Sequence, residues 1–168
     1  MQFDDVYAEV KRLAHVALAQ HAAQTLSTTD LVHEAYLKIA QHQARPDNRE
    51  HTISLVVRAL RQVLIDAARR RQAQKRGADP LRVTLDPELA DEAAGYDMLA
   101  LDQALTQLKA QNERMGLVVE MHFFGGVAFE EIADLLKVDR RTIFRDWAAA
   151  RVIIAHLLQE PVVPDPGR

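Results

Sequence analysis

The chain of 168 residues lacks cysteine altogether, which excludes disulfides, thiol catalysis and cysteine-ligated zinc. It also lacks any apolar run of about 18 residues, so the sequence predicts no membrane span. Acidic residues precede the apolar ones in MQFDDVYAEVKRLAHV, an order unlike that of a secretory signal. These absences are together typical of a protein of the reducing cytosol, and a cytoplasmic location is expected.

The motifs of common enzyme classes are missing as well. The stretch HEAYL begins like the zinc motif HExxH, but Leu37 stands where the second histidine ligand must be. His15 and His21 are six residues apart and do not share a helical face. There is no P-loop, no G-x-G-x-x-G and no G-x-S-x-G. We expect no enzyme, no cofactor and no metal, and we interpret His33 as a surface or interface residue.

The alternation typical of strands is absent, and apolar residues instead recur at helical spacing. Helices are predicted over about 3–24, 29–43, 52–74, 113–124, 128–137 and 140–159, and a further one carries Leu99, Leu101, Leu105 and Leu108 after the helical pattern resumes around Tyr96. Residues 77–95 contain Pro80 and Pro87 and no helical stripe, although LRVTL suits a short extended piece. The prediction is an all-α fold of two small helical domains, residues 1–76 and 97–160, joined by a linker (77–96) and followed by a tail (161–168).

The net charge of −3 conceals a separation of charge along the chain. Residues 58–82 contain eight basic residues and two acids, whereas residues 86–102 contain six acids and no base. Such a division indicates a polyanion-binding patch beside an acidic connector. The alternative is two solvated faces that pair with each other.

The stretch FEEIADLLKVDRRTIFRDW has the pattern of a helix-turn-helix. A short amphipathic helix leads to the turn KVDR, in which Val138 is expected to be buried and Asp139 to cap the next helix. Ile143 and Trp147 then point to the core. Four polar residues are left near the exposed start of the second helix, where they are expected to bind DNA: Arg140, Arg141, Thr142 and Arg145. The alternative is a helical hairpin with surface arginines.

Two residues of this second helix are unusual for a DNA-facing surface. Phe144 stands where a polar residue is more common, and it either packs internally or touches a thymine methyl group. Asp146 is expected to add negative charge near the phosphates.

Three segments in this order resemble the extracytoplasmic-function (ECF) type of RNA polymerase sigma factor, over about residues 3–160. DLVHEAYLKIA is similar to the polymerase-binding helix DLVQEVFLRLW of that family, and RALRQVLIDAARRRQAQKRG resembles the basic promoter-melting helix. The stretch from LDQAL to FRDW resembles the fourth conserved region. The resemblance implies an alternative sigma factor of the bacterial cytoplasm that binds the clamp helices of core RNA polymerase and directs promoter-specific initiation. It does not imply an anti-sigma factor.

The resemblance also assigns roles to particular residues. Those that line or support polymerase binding are Asp30, Leu31, Val32, Glu34, Ala35, Tyr36 and Lys38. Those that face −10 promoter DNA are Arg58, Arg61, Arg69, Arg70, Arg71, Lys75 and Arg76. Attraction to phosphates should dominate −10 binding, so salt should weaken it. The Asn48–Ile53 loop is the candidate for capturing a flipped base, and the helix-turn-helix residues above would read the −35 element.

The chain departs from the family at the start of its polymerase-binding helix. An acidic DAED box commonly precedes LVQE, but here the four positions are Ser27, Thr28, Thr29 and Asp30. Ser27 and Asp30 suit a capping box, with Leu26 and Leu31 as a hydrophobic staple. A branch of the family without the acidic box looks to be activated by a Ser/Thr protein kinase. The hypothesis is that phosphorylation supplies the missing charge. Thr29 is the first candidate for the modified residue and Thr28 the second.

The alternative function is a stand-alone helix-turn-helix transcriptional regulator with an N-terminal helical interaction module. It accounts for the C-terminal motif but leaves RRRQAQKRG and the replaced acidic box unexplained. Binding to core polymerase separates the two functions.

Overall fold

The structure is a computed structural model that describes residues 3–21, 26–42, 47–74, 82–83, 85 and 96–159. Seven helices are found in these ranges: α1 (Phe3–His21), α2 (Thr28–Gln41), α3 (Arg49–Gln74), α4 (Met98–Gln111), α5 (Glu113–Val119), α6 (Phe129–Leu136) and α7 (Arg140–Gln159). A π-helical turn over Glu120–Phe124, the π segment, continues α5. The predicted all-α fold is confirmed. No helix in the described ranges is long and apolar enough to cross a membrane.

Two short strands are the only extended pairing among the described residues. They are β1 (Arg82–Val83) and β2 (Tyr96–Asp97), which pair antiparallel with Arg82 opposite Asp97. The extended piece expected in LRVTL is therefore present, and its partner ends where α4 begins. Most of the predicted linker and the tail 161–168 lie outside the described residues. The predicted domain boundaries stay predictions.

Helices α1, α2 and α3 each bury an apolar stripe in one core, as their spacing predicts. The buried apolar residues are Val10, Leu13, Ala14 and Ala17 of α1, Leu31, Val32, Ala35 and Ile39 of α2, and Ile53, Val56, Val57, Ala59, Leu60, Val63, Leu64, Ile65 and Ala68 of α3. Helix α3 begins at Arg49, three residues before the predicted start. Asn48 causes this, because its side-chain oxygen accepts a hydrogen bond from the His51 amide at 2.8 Å. The segment Asn48–Ile53 is therefore a capped helix start and not the loop that was expected.

Helices α4, α5 and α7 pack around Leu101, Leu105, Val118, Ile143 and Ile154, which are all fully buried. Gly116 allows α4 and α5 to approach closely. A Cβ atom at that position would lie 2.7 Å from the Cβ and 2.8 Å from the Cα of Lys109. Asn112 separates the two helices, and its side chain caps α5 by accepting a hydrogen bond from the Met115 amide.

The N-terminal helices (α1–α3) and the C-terminal helices (α4–α7) also pack against each other. Helix α3 contacts α4, α6 and the π segment, so one apolar core continues through both groups. The two groups approach closely at Gly125, directly after the π segment, where a Cβ atom would lie 2.5 Å from Cγ2 of Val57. The side of α3 that carries several of its arginines is thereby brought next to the C-terminal helices.

Candidate nucleic-acid and protein interfaces

A reciprocal pair of hydrogen bonds fixes the start of α2. Ser27 is the N-cap, and its Oγ accepts from the Asp30 amide at 3.1 Å and donates to the Asp30 carboxylate at 2.7 Å. The Ser27 amide donates to the same carboxylate at 3.3 Å. The predicted capping box is confirmed, and Leu26 packs against the core as the staple requires. The hydroxyl bond from Ser27 holds the pKa of the Asp30 carboxyl below its usual range.

The three hydroxyl residues before and within this first turn have different surroundings. Ser27 is occupied by the capping box, and Thr28 is half-buried. Thr29, the second residue of α2, is exposed, and its side chain makes no hydrogen bond within the described residues. Thr29 is therefore an exposed and unengaged hydroxyl at a helix N-terminus, where unpaired amides and the helix dipole favour an anion.

The residues of α2 that were predicted to meet the polymerase divide between two faces. Leu31, Val32 and Ala35 are buried, so they support the helix from inside. The remaining four are exposed or half-buried, namely Asp30, Glu34, Tyr36 and Lys38. Sequence reasoning missed Leu37, an apolar residue 43% exposed on the same helix. Leu37 does not belong to the apolar stripe that α2 buries, and this position is the feature of the sequence that indicates its exposure.

The arginines of α3 also point in different directions. Arg58, Arg61 and Arg69 share one face, which lines a groove opposite Asp102 and Glu120 of the C-terminal helices. Arg58 and Arg69 are exposed in this groove. Two further arginines lie elsewhere. Arg70 is exposed and lies 3.5 Å from Glu34 of α2, and Arg71 is half-buried. Lys75 and Arg76 lie outside the described residues.

Arg61 differs from its neighbours because the C-terminal helices hold it. Its Nε donates to Asp102 Oδ1 at 2.7 Å, and its Nη1 donates to Glu120 Oε1 at 2.8 Å. Its Nη2 donates to the hydroxyl of Thr106 at 3.0 Å, and the guanidinium lies 5.6 Å from the ring centre of Phe124. The Arg61 side chain is only 15% exposed. Four hydrogen bonds thus engage all three nitrogens of Arg61, so it does not present a free guanidinium to DNA.

Glu120 completes this cluster at the start of the π segment. Its second carboxylate oxygen accepts from Lys109 Nζ at 2.6 Å, and its side chain is 6% exposed. Burial alone would raise the pKa of Glu120, but the hydrogen bonds from Lys109 and Arg61 hold this pKa below its ordinary value. Glu120 is therefore a carboxylate whose charge is matched by two cations.

The helix-turn-helix has the predicted local geometry. Lys137 adopts a left-handed conformation (φ 53°) that ends α6. The carboxylate of Asp139 then accepts from the Arg141 amide at 2.7 Å and caps α7. Ile143 and Trp147 are buried as predicted, whereas Val138 is half-buried. The predicted DNA-binding residues all lie at the start of α7: Arg140, Arg141 and Arg145 are exposed and Thr142 is half-buried.

The two unusual residues of α7 have separate explanations. Phe144 is 41% exposed, packs against Phe129 with ring centres 4.9 Å apart, and lies beneath the Arg140 guanidinium at 5.1 Å. The expectation that Asp146 adds charge near the phosphates is wrong. Asp146 is 4% exposed and accepts two hydrogen bonds from Arg114 of α5. It points inward because it follows Ile143 by three residues and precedes Trp147.

A family model described as "ECF sigma factor" matches residues 2–160. The chain therefore belongs to the ECF sigma factor family. It is an alternative sigma factor that binds core RNA polymerase and promoter DNA and directs transcription initiation. Because the match includes the N-terminal helices, it favours this function over a stand-alone helix-turn-helix regulator. No match is found among curated proteins or among solved structures.

Proposed function

We propose that phosphorylation of Thr29 by a Ser/Thr protein kinase switches this sigma factor on, because it supplies the negative charge that core polymerase binding requires. The observation that carries the proposal is the exposed Thr29 hydroxyl on the first turn of α2, without a hydrogen-bond partner in the described residues. A kinase needs access to the hydroxyl, whereas a hydroxyl that serves as a structural cap would be engaged in a hydrogen bond.

The electrostatics of the first turn of α2 support this proposal. Asp30 is the only acid in that turn, and its carboxylate is engaged with Ser27. A phosphothreonine brings a charge of about −1.5 to −2 at pH 7 and three strong acceptor oxygens. At the second position of a helix this charge lies close to unpaired amides, so the phosphate is stabilised where it is attached.

Thr29 is preferred over its two neighbours for structural reasons. Ser27 already donates and accepts hydrogen bonds in the capping box, so its modification would disrupt the start of α2. Thr28 is half-buried and is the second candidate. The phosphate would be presented beside the outward residues of α2, which we propose as the polymerase-binding face together with the supporting residues Leu31, Val32 and Ala35.

We propose that the promoter contacts are made by exposed residues of α3 and of the start of α7. Arg58, Arg69 and Arg70 are exposed on α3, and they are proposed to attract −10 DNA through its phosphates. Arg140, Arg141, Thr142 and Arg145 are proposed to read −35 DNA from the start of α7. Arg61 needs a rearrangement before it can take part.

Recovery of core polymerase with the tagged protein from host cells tests the switch. Wild type and Thr28→Ala should recover core polymerase, whereas Thr29→Ala should recover at least about tenfold less. The matched Thr28→Ala variant removes a neighbouring hydroxyl without touching Thr29, and phosphopeptide mapping identifies the modified residue. Equal recovery by Thr29→Ala and wild type would contradict the proposal.

A further inference from the structure

We infer that Arg140 is an arginine of α7 that reads a guanine of the −35 duplex, and that Phe144 and Glu130 are positioning residues that hold its guanidinium for this base. The inference rests on the proposed role of α7 in −35 binding, and it gives Arg140 a role that its neighbouring arginines do not share. It does not depend on phosphorylation of Thr29.

Arg140 is held from two sides at the start of α7. Its Nη2 lies 2.5 Å from Oε1 of Glu130, which belongs to the first turn of α6. Its guanidinium carbon lies 5.1 Å from the ring centre of Phe144, one turn farther along α7. A cation within about 6 Å of a ring centre is attracted to the face of the ring. The Arg140 side chain is nevertheless 60% exposed, so its guanidinium stays accessible to a base.

Phe144 can hold an arginine because its own ring is anchored. It packs against Phe129 with ring centres 4.9 Å apart, and Phe129 stacks on His122 at 4.1 Å. The buried Trp147 also contacts Phe129, with ring centres 5.6 Å apart. This row of rings runs from the core of the C-terminal helices to the surface, where Phe144 is exposed. Holding Arg140 gives a role to an aromatic ring that lies among exposed arginines.

The other two exposed arginines of α7 have different surroundings. The side chains of Arg141 and Arg145 make no hydrogen bond, ion pair or ring contact with any residue that the structure describes. A guanidinium that is already held loses less side-chain entropy when it binds, and its fixed plane selects a base edge by geometry. Arg140 is therefore prepared for a base, whereas Arg141 and Arg145 must be ordered when they bind.

The charge of Glu130 gives a second reason to assign a base to Arg140. The carboxylate cancels part of the charge of Arg140, which weakens the attraction of this arginine to phosphates of any sequence. A guanine is recognised differently, because its O6 and N7 accept a pair of N–H donors from one guanidinium. Glu130 contacts a single nitrogen of Arg140, so further donors of the guanidinium remain for the base.

The base preference of the full-length protein tests this inference, and no polymerase is needed. The probe is a library of duplex DNA with a randomised centre, and the bound duplexes are sequenced. Arg140→Ala should lose the preference for guanine at one position of the selected site, by at least about fivefold. Arg141→Ala removes the same charge from the next residue, should keep this preference, and is the matched control.

Phe144 variants test whether the ring acts through the arginine. Phe144→Ala should lose the guanine preference at the same position that Arg140→Ala identifies, whereas Phe144→Tyr keeps the ring and should keep the preference. The double variant Arg140→Ala with Phe144→Ala should discriminate no worse than Arg140→Ala alone. Circular dichroism checks that each variant is folded.

Glu130→Gln should change affinity and base preference in opposite directions. Loss of the carboxylate should strengthen binding to duplexes of random sequence and weaken the guanine preference at the Arg140 position. A merely structural role of Glu130 would not produce this combination. Asp134→Asn makes the same charge change at an exposed position of α6 and should keep the preference. An unchanged preference in Glu130→Gln would overturn the positioning role of Glu130.

Other outcomes would overturn the inference as a whole. If Phe144→Ala loses a thymine preference at another position and keeps the guanine preference, Phe144 reads DNA itself and does not position Arg140. If Arg140→Ala keeps every base preference, Arg140 reads no base, and a slope of log K against log salt lowered by about 0.9 would identify a phosphate contact instead. If the wild type selects no base, the proposed role of α7 in −35 binding fails together with the inference.

Discussion

Arg114 at the start of α5 holds the Asp146 carboxylate of α7 in two hydrogen bonds, Nε to Oδ2 at 2.7 Å and Nη2 to Oδ1 at 3.3 Å. The bonds join the recognition helix to a helix that precedes it by more than 20 residues. Asp146 therefore fixes the orientation of α7, while Arg141 and Arg145 stay exposed on the side that we propose faces DNA.

Asp146→Asn should destabilise the fold without strengthening DNA binding. The Asp146 side chain is 6% exposed whereas that of Arg114 is 45% exposed, so loss of the charge should cost about 1–2 kcal/mol. Urea unfolding measures this. The neighbouring Arg145→Ala should do the reverse, with a stability change within about 0.5 kcal/mol and weaker binding to duplex DNA. Tighter DNA binding by Asp146→Asn at unchanged stability would mean that Asp146 faces the phosphates after all.

His122 should make the fold less stable in mild acid. Its Nδ1–H donates to the Val127 carbonyl at 2.9 Å, and its ring stacks on Phe129 at 4.1 Å. Burial lowers the pKa of His122, so its contribution to stability is complete above the ordinary pKa of about 6.5. That contribution is lost as the pH falls from there towards the lower folded value, by at most about 1.4 kcal/mol per pH unit.

Urea unfolding of wild type and His122→Gln at pH 7.5 and pH 5.5 measures the pH-dependent contribution of His122 to the free energy of unfolding. The other histidines titrate in both proteins, so the difference between the two pH dependences isolates His122. Wild type should lose more stability than His122→Gln between the two pH values. The same loss of stability in both proteins would show that His122 does not cause the acid sensitivity.

Gly116→Ala should destabilise the packing of α4 on α5. Alanine is favoured over glycine inside a helix by about 1 kcal/mol, but here the added Cβ meets the Lys109 backbone at 2.8 Å. Overpacking of this kind costs about 1–3 kcal/mol, and it should outweigh the helix propensity. Ala148→Gly, at an exposed position of α7, measures the propensity alone by thermal unfolding. A gain of stability in Gly116→Ala would show that the helices are farther apart.

Arg69→Ala should reduce the salt dependence of binding to single-stranded DNA. Arg69 is exposed in the groove of α3, and each lost phosphate contact lowers the slope of log K against log salt by about 0.7. Lys11→Ala removes the same charge from an exposed position of α1 and serves as the control. Titrations at four salt concentrations give the slopes. Equal slopes for the two variants would show that Arg69 does not contact a DNA phosphate.

Sequence reasoning predicted the features of this fold that depend on neighbours along the chain. The apolar stripes, the Ser27–Asp30 capping box and the turn before α7 are all set within about four residues. It did not place Arg61, whose partners Asp102 and Glu120 are 41 and 59 residues away. Asp146 was misjudged for the same reason, since its partner Arg114 is 32 residues distant. A charged residue shows its type in the sequence, but only packing shows which charge it meets.

The charge separation in the sequence had two interpretations, and the structure supports a part of each. Asp102 of the acidic segment pairs with Arg61 of the basic one, as the interpretation of paired faces requires. Arg58, Arg69 and Arg70 remain exposed on α3, as a polyanion-binding patch requires. The pattern of charges alone has no distance information, so it could not divide the arginines between these two roles.

The decisive measurement of the Thr29 switch is binding to core RNA polymerase at one fixed salt concentration, with purified unmodified protein compared with Thr29-phosphorylated protein. We expect tight binding by the phosphorylated protein and at least about tenfold weaker binding by the unmodified one. Equally tight binding by both forms would contradict the switch, and Thr29 would then be only an exposed residue beside a helix cap.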